Sequence, residues 1–68
     1  MPMGTRHRLT GRLLDSRLGL VLQVDDGGEF ALDAGRSARK FLGLRVTIEG
    51  RRAGFNLIDV ERIGPATD

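Results

Sequence analysis

The chain has 68 residues, 40% of them hydrophobic and 29% charged, with a formal net charge of +2. That length holds one core and excludes a second domain, so residues 1–68 are read as a single domain with an ordered core over about 6–64, and a core this small supplies only a narrow margin of stability. No cysteine is present, which excludes disulfide staples and thiolate metal sites; the first ten residues carry Arg6, His7 and Arg8 but no apolar run, which points to a cytoplasmic protein with neither signal peptide nor membrane span.

The glycines fall at intervals, and the runs between them alternate apolar and polar residues, the period of half-buried strands. The first run, Arg6 to Leu14, points Leu9 and Leu13 inward and Arg8, Thr10 and Arg12 outward, with Gly11 where the strand can bend. In the second, Leu18, Leu20, Leu22 and Val24 share the inner face, while Gly19, Val21, Gln23 and Asp25 face out. Opposing Leu13 to Leu18 leaves a loop from Leu14 to Arg17, with Asp15 and Ser16 as turn formers. The third strand, Glu29 to Asp33, turns Phe30 and Leu32 inward; opposing Val24 to Phe30 leaves the turn Asp26, Gly27, Gly28, which suits a type I turn followed by a left-handed glycine.

Between Asp33 and Gly43, residues Ala34, Ala38, Phe41 and Leu42 share one helical face, which predicts a helix of about two turns. Ser37 or Asp33 would cap its start, Arg39 and Lys40 suit its negative end, and Gly43 fits its stop. The fourth strand, Leu44 to Gly50, turns Leu44, Val46 and Ile48 inward. The fifth, Phe55 to Ile63, breaks its alternation: Phe55 and Leu57 share one side, Ile58 and Val60 the other. A β-bulge near Leu57 would bring all four to the core and is the expectation; without it Phe55 and Leu57 form an outward apolar spot.

Three meandering strands, a helix and a two-stranded hairpin give the predicted fold class: all-β, a five-stranded OB-fold-like Greek-key barrel with one short helix between strands three and four. An SH3-like barrel is the rival, and the helix at Ala34 to Leu42 decides between them. Closing the sheet also removes its edges.

Gly11, Asp25 to Asp33 (DDGGEFALD), Leu42 to Gly50 (LGLRVTIEG) and Gly54 to Val60 (GFNLIDV) resemble a family of small, uncharacterised bacterial OB-fold-like proteins, and the likeness spans Leu9 to Ile63. What it implies is architecture, a stand-alone barrel; it brings no activity and no site residue.

Catalysis has little support. His7 lies near one end and the serines, Ser16 and Ser37, occupy turn or cap positions, so no nucleophile and base pair up; the protein is read as a binding module, not an enzyme, with no cofactor. Asp25, Asp26, Glu29 and Asp33 surround a glycine turn that needs such residues anyway, and their spacing matches no calcium loop, so no metal is expected.

Arginine supplies ten of the eleven basic residues, Lys40 being the lysine. GC-rich coding accounts for that bias, unless the arginines gather on one face. Arg8, Arg12, Arg45, Arg51 and Arg52 are the candidates for a basic rim that holds single-stranded DNA or RNA weakly, although the outer face of strands two and three is acidic and lacks aromatics. The competing reading is a protein-interaction or self-association module, a homodimer included, that uses Val21, Phe55 and Leu57.

Overall fold

The computed structural model describes residues 6–17 and 19–66. Five strands, β1 (Arg6–Ser16), β2 (Gly19–Val24), β3 (Glu29–Asp33), β4 (Arg45–Gly54) and β5 (Leu57–Pro65), form one sheet, with a 3-10 helix (Arg36–Phe41) between β3 and β4. The sheet closes in the order β1-β2-β3-β5-β4 and back to β1. All pairs are antiparallel except β3 with β5, a parallel seam of Ala31, Leu32 and Asp33 beside Leu57, Ile58 and Asp59. No helix among the described residues is long and apolar enough to cross a membrane.

Alternation fills the interior. Leu13, Leu20, Leu22, Leu32, Val46, Ile48 and Ile58 are buried with Ala38 of the helix, and Leu9, Val24, Phe30, Phe41, Val60 and Ile63 pack around them. Each fully buried aliphatic side chain contributes about 1.5–3 kcal/mol against the conformational entropy of ordering the chain. Strand β1 carries the closure. Its first part pairs with β4, its second with β2, and Gly11 has register partners in both, Val46 and Val24. A Cβ at Gly11 would overlap the Gln23 carbonyl oxygen, and one at Gly50 would overlap that of Asp59, so backbone approaches there that only glycine allows.

Several expectations are corrected. Leu13 faces Leu22, and pairing runs on to Ser16 opposite Gly19, so the expected loop from Leu14 to Arg17 is mostly strand; Leu18 lies outside the described residues. Longer arms add ladder hydrogen bonds and put Leu14 opposite Val21. Phe30 faces Leu22, two residues from the expected Val24, because Val24 closes the turn against Gly28: its N–H donates to Gly28 O and its carbonyl accepts from Gly27 N, each at 3.0 Å, so the turn is Asp25, Asp26 and Gly27 instead of the expected Asp26, Gly27 and Gly28. Both glycines have positive φ, 97° and 96°.

The connecting helix is 3-10 rather than α. Gly35 at its start offers no side-chain cap, so neither Ser37 nor Asp33 caps it, and the Ala38 N–H bonds back to Gly35 O at 3.1 Å. Three residues per turn align Ala38 with Phe41 over the core. Leu44 is 52% exposed, not inward, because Gly43 (φ 81°) is still turning the chain before β4 starts.

The phase break in β5 is resolved elsewhere than near Leu57. Glu49 faces Arg62 and Gly50 faces Val60, so Glu61 is the extra residue, and this bulge returns Ile63 to the side of Ile58 and Val60. A second irregularity leaves Ala53 extra in β4, and Phe55 falls in the turn, 89% exposed, instead of joining the core. Leu57 is half-buried on the outer face.

Substituting Gly11 and Gly28 by alanine separates the two reasons for glycine. Gly11→Ala drives a Cβ into backbone and is expected to cost about 3 kcal/mol; Gly28→Ala meets open space and carries only left-handed strain of about 1 kcal/mol. Urea unfolding is expected to show the larger loss at Gly11, and equal losses would contradict closure at that point.

Candidate protein-docking face

The outer side of β1 and β4 carries five of the ten arginines. Cross-strand register sets Arg6 beside Arg51, Arg8 beside Glu49, Thr10 beside Thr47 and Arg12 beside Arg45. Of the five arginines picked out by sequence, Arg8, Arg12, Arg45 and Arg51 therefore share a face. Arg52 does not. It stands opposite Ile58, and its guanidinium donates to the carbonyls of Gly54 at 3.2 Å and Phe55 at 2.5 Å.

Carboxylates interrupt this face. Arg6 Nη2 donates to Glu61 Oε1 at 2.7 Å, Arg51 Nε reaches Glu61 Oε2 at 3.3 Å, and Arg8 Nε lies 3.9 Å from Glu49. Arg45 grips Asp25 with two nitrogens, one of them at 3.4 Å, and Arg12 donates to the Gly43 carbonyl at 2.6 Å. Hydrogen bonding from Arg6, joined by the charges of Arg6 and Arg51, holds Glu61 below the usual carboxylate range; hydrogen bonding from Arg45 does the same for Asp25. These are exposed pairs, worth little in stability and screened by salt.

The outer side of β1, β2, β3 and β5 differs. Leu14 faces Val21, Val21 faces Ala31, and Ala31 faces Leu57, so four apolar side chains form one row across four strands. At interstrand spacing the row runs roughly 14 Å. Leu14, Val21 and Leu57 are half-buried and Ala31 is exposed. Phe55 stands beyond its end in a turn tied at three points: Arg52 to two turn carbonyls, Asn56 Nδ2 to Glu29 O at 2.7 Å, and Ala31 N to Asn56 O at 2.7 Å. Of the residues named for a protein contact, Val21 and Leu57 thus lie in one row and Phe55 next to it.

Charged residues border this row, three acids among them. Along one side lies Arg12–Gln23–Glu29; along the other Asp33 and Asp59 are register partners across the parallel seam, and Arg51 continues that line opposite Asp59. Among the described residues Glu29, Asp33 and Asp59 make no ion pair, whereas Asp15, Asp25, Glu49 and Glu61 all do. Clefts of about 640 Å3, beside Gln23 and Glu29, and about 220 Å3, beside Gly19 and Asp33, open on the two sides.

A family model described as Protein of unknown function (DUF5818) matches residues 10–66. The chain belongs to this family. No curated protein and no solved structure matches it. The span matched in this DUF5818 chain contains the whole apolar row and its acidic border.

The remaining candidates stand apart. His7 faces Gly50, with Nε2 buried and without a hydrogen-bond partner among the described residues. Ser16 Oγ donates to Gly19 O at 2.8 Å, and Ser37 is exposed on the 3-10 helix. Among the described residues no three of His, Asp or Glu gather as a metal site. Leu14, Ala31 and Asp59 are the positions missed from sequence: with Leu13 set against Leu18, Leu14 falls in a loop and the row is invisible. The pattern itself, an apolar residue at an outward position of β1, β2, β3 and β5, was the available signal.

Glu61 tests the ion pairs. A carboxyl whose pKa is lowered on folding adds stability above its unfolded pKa, and that contribution is lost as pH falls through the folded value. Carboxyl NMR titration is expected to find Glu61 titrating at lower pH than an ordinary glutamate, and Arg6→Ala is expected to move it back toward the ordinary range; a midpoint indifferent to Arg6 would show that the pair is not formed in solution.

Proposed function

We propose that the protein is a non-catalytic binding module of OB type, and that its working surface, the outer face of β1, β2, β3 and β5, docks another protein. Five strands closed in the order β1-β2-β3-β5-β4, with the helical segment between β3 and β4, support the OB assignment. The row Leu14, Val21, Ala31, Leu57 carries the functional reading. An outer barrel face needs no aligned apolar residues for folding, and Phe55 beside it projects from a turn whose backbone is held in place, which lowers the ordering cost of a contact there.

Single-stranded nucleic acid is the second reading, favoured by the 89% exposed Phe55 with Arg51 and Arg52 in the adjacent strand. Charge opposes it. Arg8, Arg45 and Arg51 already face carboxylates, Arg52 is engaged by turn carbonyls, and Glu29, Asp33 and Asp59 would repel phosphate. A symmetric homodimer through the row is disfavoured for a related reason, since it brings two copies of the same acidic border close together.

A peptide display selection against the isotope-labelled protein, with NMR mapping of the winners, tests this reading. Shifts are expected at Val21, Ala31, Leu57 and Phe55, with binding lost in Val21→Asp while the thermal transition is retained. A short mixed single-stranded DNA is expected to give no shifts at physiological salt. Salt-sensitive DNA shifts grouped on Arg8, Arg12, Arg45 and Arg51, with no peptide binding at the row, would reverse the assignment.

A further inference from the structure

The acids along the row say more about its occupant than the row does. Ion pairing divides the carboxylates by location: those toward the arginine face and the 3-10 helix are neutralised locally, by Arg45 at Asp25, Arg8 at Glu49, Arg6 and Arg51 at Glu61, and Arg39 at Asp15. Four carboxylates are left without an ion pair among the described residues: Asp26 in the turn between β2 and β3, and Glu29, Asp33 and Asp59, which border the apolar row. Asp33 and Asp59 are direct register partners, a like-charge contact that destabilises a sheet; Arg51 stands opposite Asp59 on β4, but its guanidinium is turned to Glu61, which leaves that contact only partly relieved. The two aspartates end the seam with the shortest pairing in the sheet, three residues long.

Closure limits how a partner can engage. A sheet that returns to its first strand offers no long edge for strand addition, so recognition has to use side chains on a face. An amphipathic helix does this with an apolar ridge. Covering roughly 14 Å takes about ten helical residues at 1.5 Å each. The acidic line lies two residues along the strands from the row, about 7 Å away, within reach of a lysine or arginine leaving the flank of that ridge.

We propose that this face recognises a cationic amphipathic helix of a partner protein, with its apolar ridge on Leu14, Val21, Ala31 and Leu57 and its basic flank over Asp33 and Asp59. The proposal rests on the docking-face reading and adds the charge and shape of what docks. The chain's own basic helical segment is not the occupant, since Ala38 and Phe41 hold it on the core.

Three synthetic helix-forming peptides of one apolar pattern, with lysine, glutamine or glutamate on the flank, provide the test against the full chain. Calorimetry and NMR are expected to show the lysine peptide bound at Val21, Ala31, Leu57, Asp33 and Asp59, at least tenfold tighter than the glutamine peptide, and no binding by the glutamate peptide. The double variant Asp33→Asn, Asp59→Asn is expected to erase that tenfold preference while leaving glutamine-peptide binding in place. Equal binding of lysine and glutamine peptides at the row would overturn the cationic selection and leave the docking face standing. No shifts at the row with any peptide would overturn both.

Discussion

One strand changes neighbours part-way along its length, and the rest of the molecule follows from how that is achieved. Strand β1 leaves β4 and joins β2 around Gly11, where the backbone of Gln23 approaches so closely that no side chain fits. This is a steric constraint before it is an energetic one. A bend there lets five short strands close, and closure gives a chain of 68 residues an interior sealed on all sides. The glycine at position 50 plays the matching part where β4 meets β5, and the bulge at Glu61 restores the inward phase of β5.

Closure also sorts the outside. Once register is fixed, outward residues fall into cross-strand lines, and neighbouring lines differ in kind: arginines interleaved with threonine and glutamate on β1 and β4, apolar residues across β1, β2, β3 and β5, and acids beside them. Surface ion pairs contribute little to stability, but they decide which charges remain to meet a partner. Here the pairs hold most of the arginine face to itself and leave the acids along the apolar row open.

Much of the barrel was legible in the sequence because its signal is alternation. Leu20, Leu22, Leu32, Val46 and Ile48 take the inward positions that parity assigns, and β3 has the bounds read from sequence. Register was less legible. Parity fixes which face a residue takes but not which partner it meets, so hairpins slip by two residues without penalty in the pattern, as at Val24, and long-arm pairing hides Leu14 in an apparent loop. The break near Leu57 showed that a bulge was needed but not where: the extra residue is Glu61, whose carboxylate is drawn outward to Arg6 and Arg51. For the site, Val21, Phe55 and Leu57 were found one by one, and only the register made Val21 and Leu57 a line. Arg52 was grouped with the basic rim by sequence proximity, yet neighbouring strand residues point to opposite faces.

The central claim, that acids without an ion pair among the described residues line an apolar row while the arginine face is largely self-neutralised, can be measured without any partner. Paramagnetic relaxation of amide and methyl protons by two small nitroxides of opposite charge maps local potential residue by residue. The account predicts stronger relaxation by the cationic probe than by the anionic one at Val21, Ala31, Asp33, Leu57 and Asp59, with a much smaller imbalance across Arg8, Thr10, Thr47 and Glu49. Equal relaxation by the two probes along the row, or a preference there for the anionic one, would contradict it.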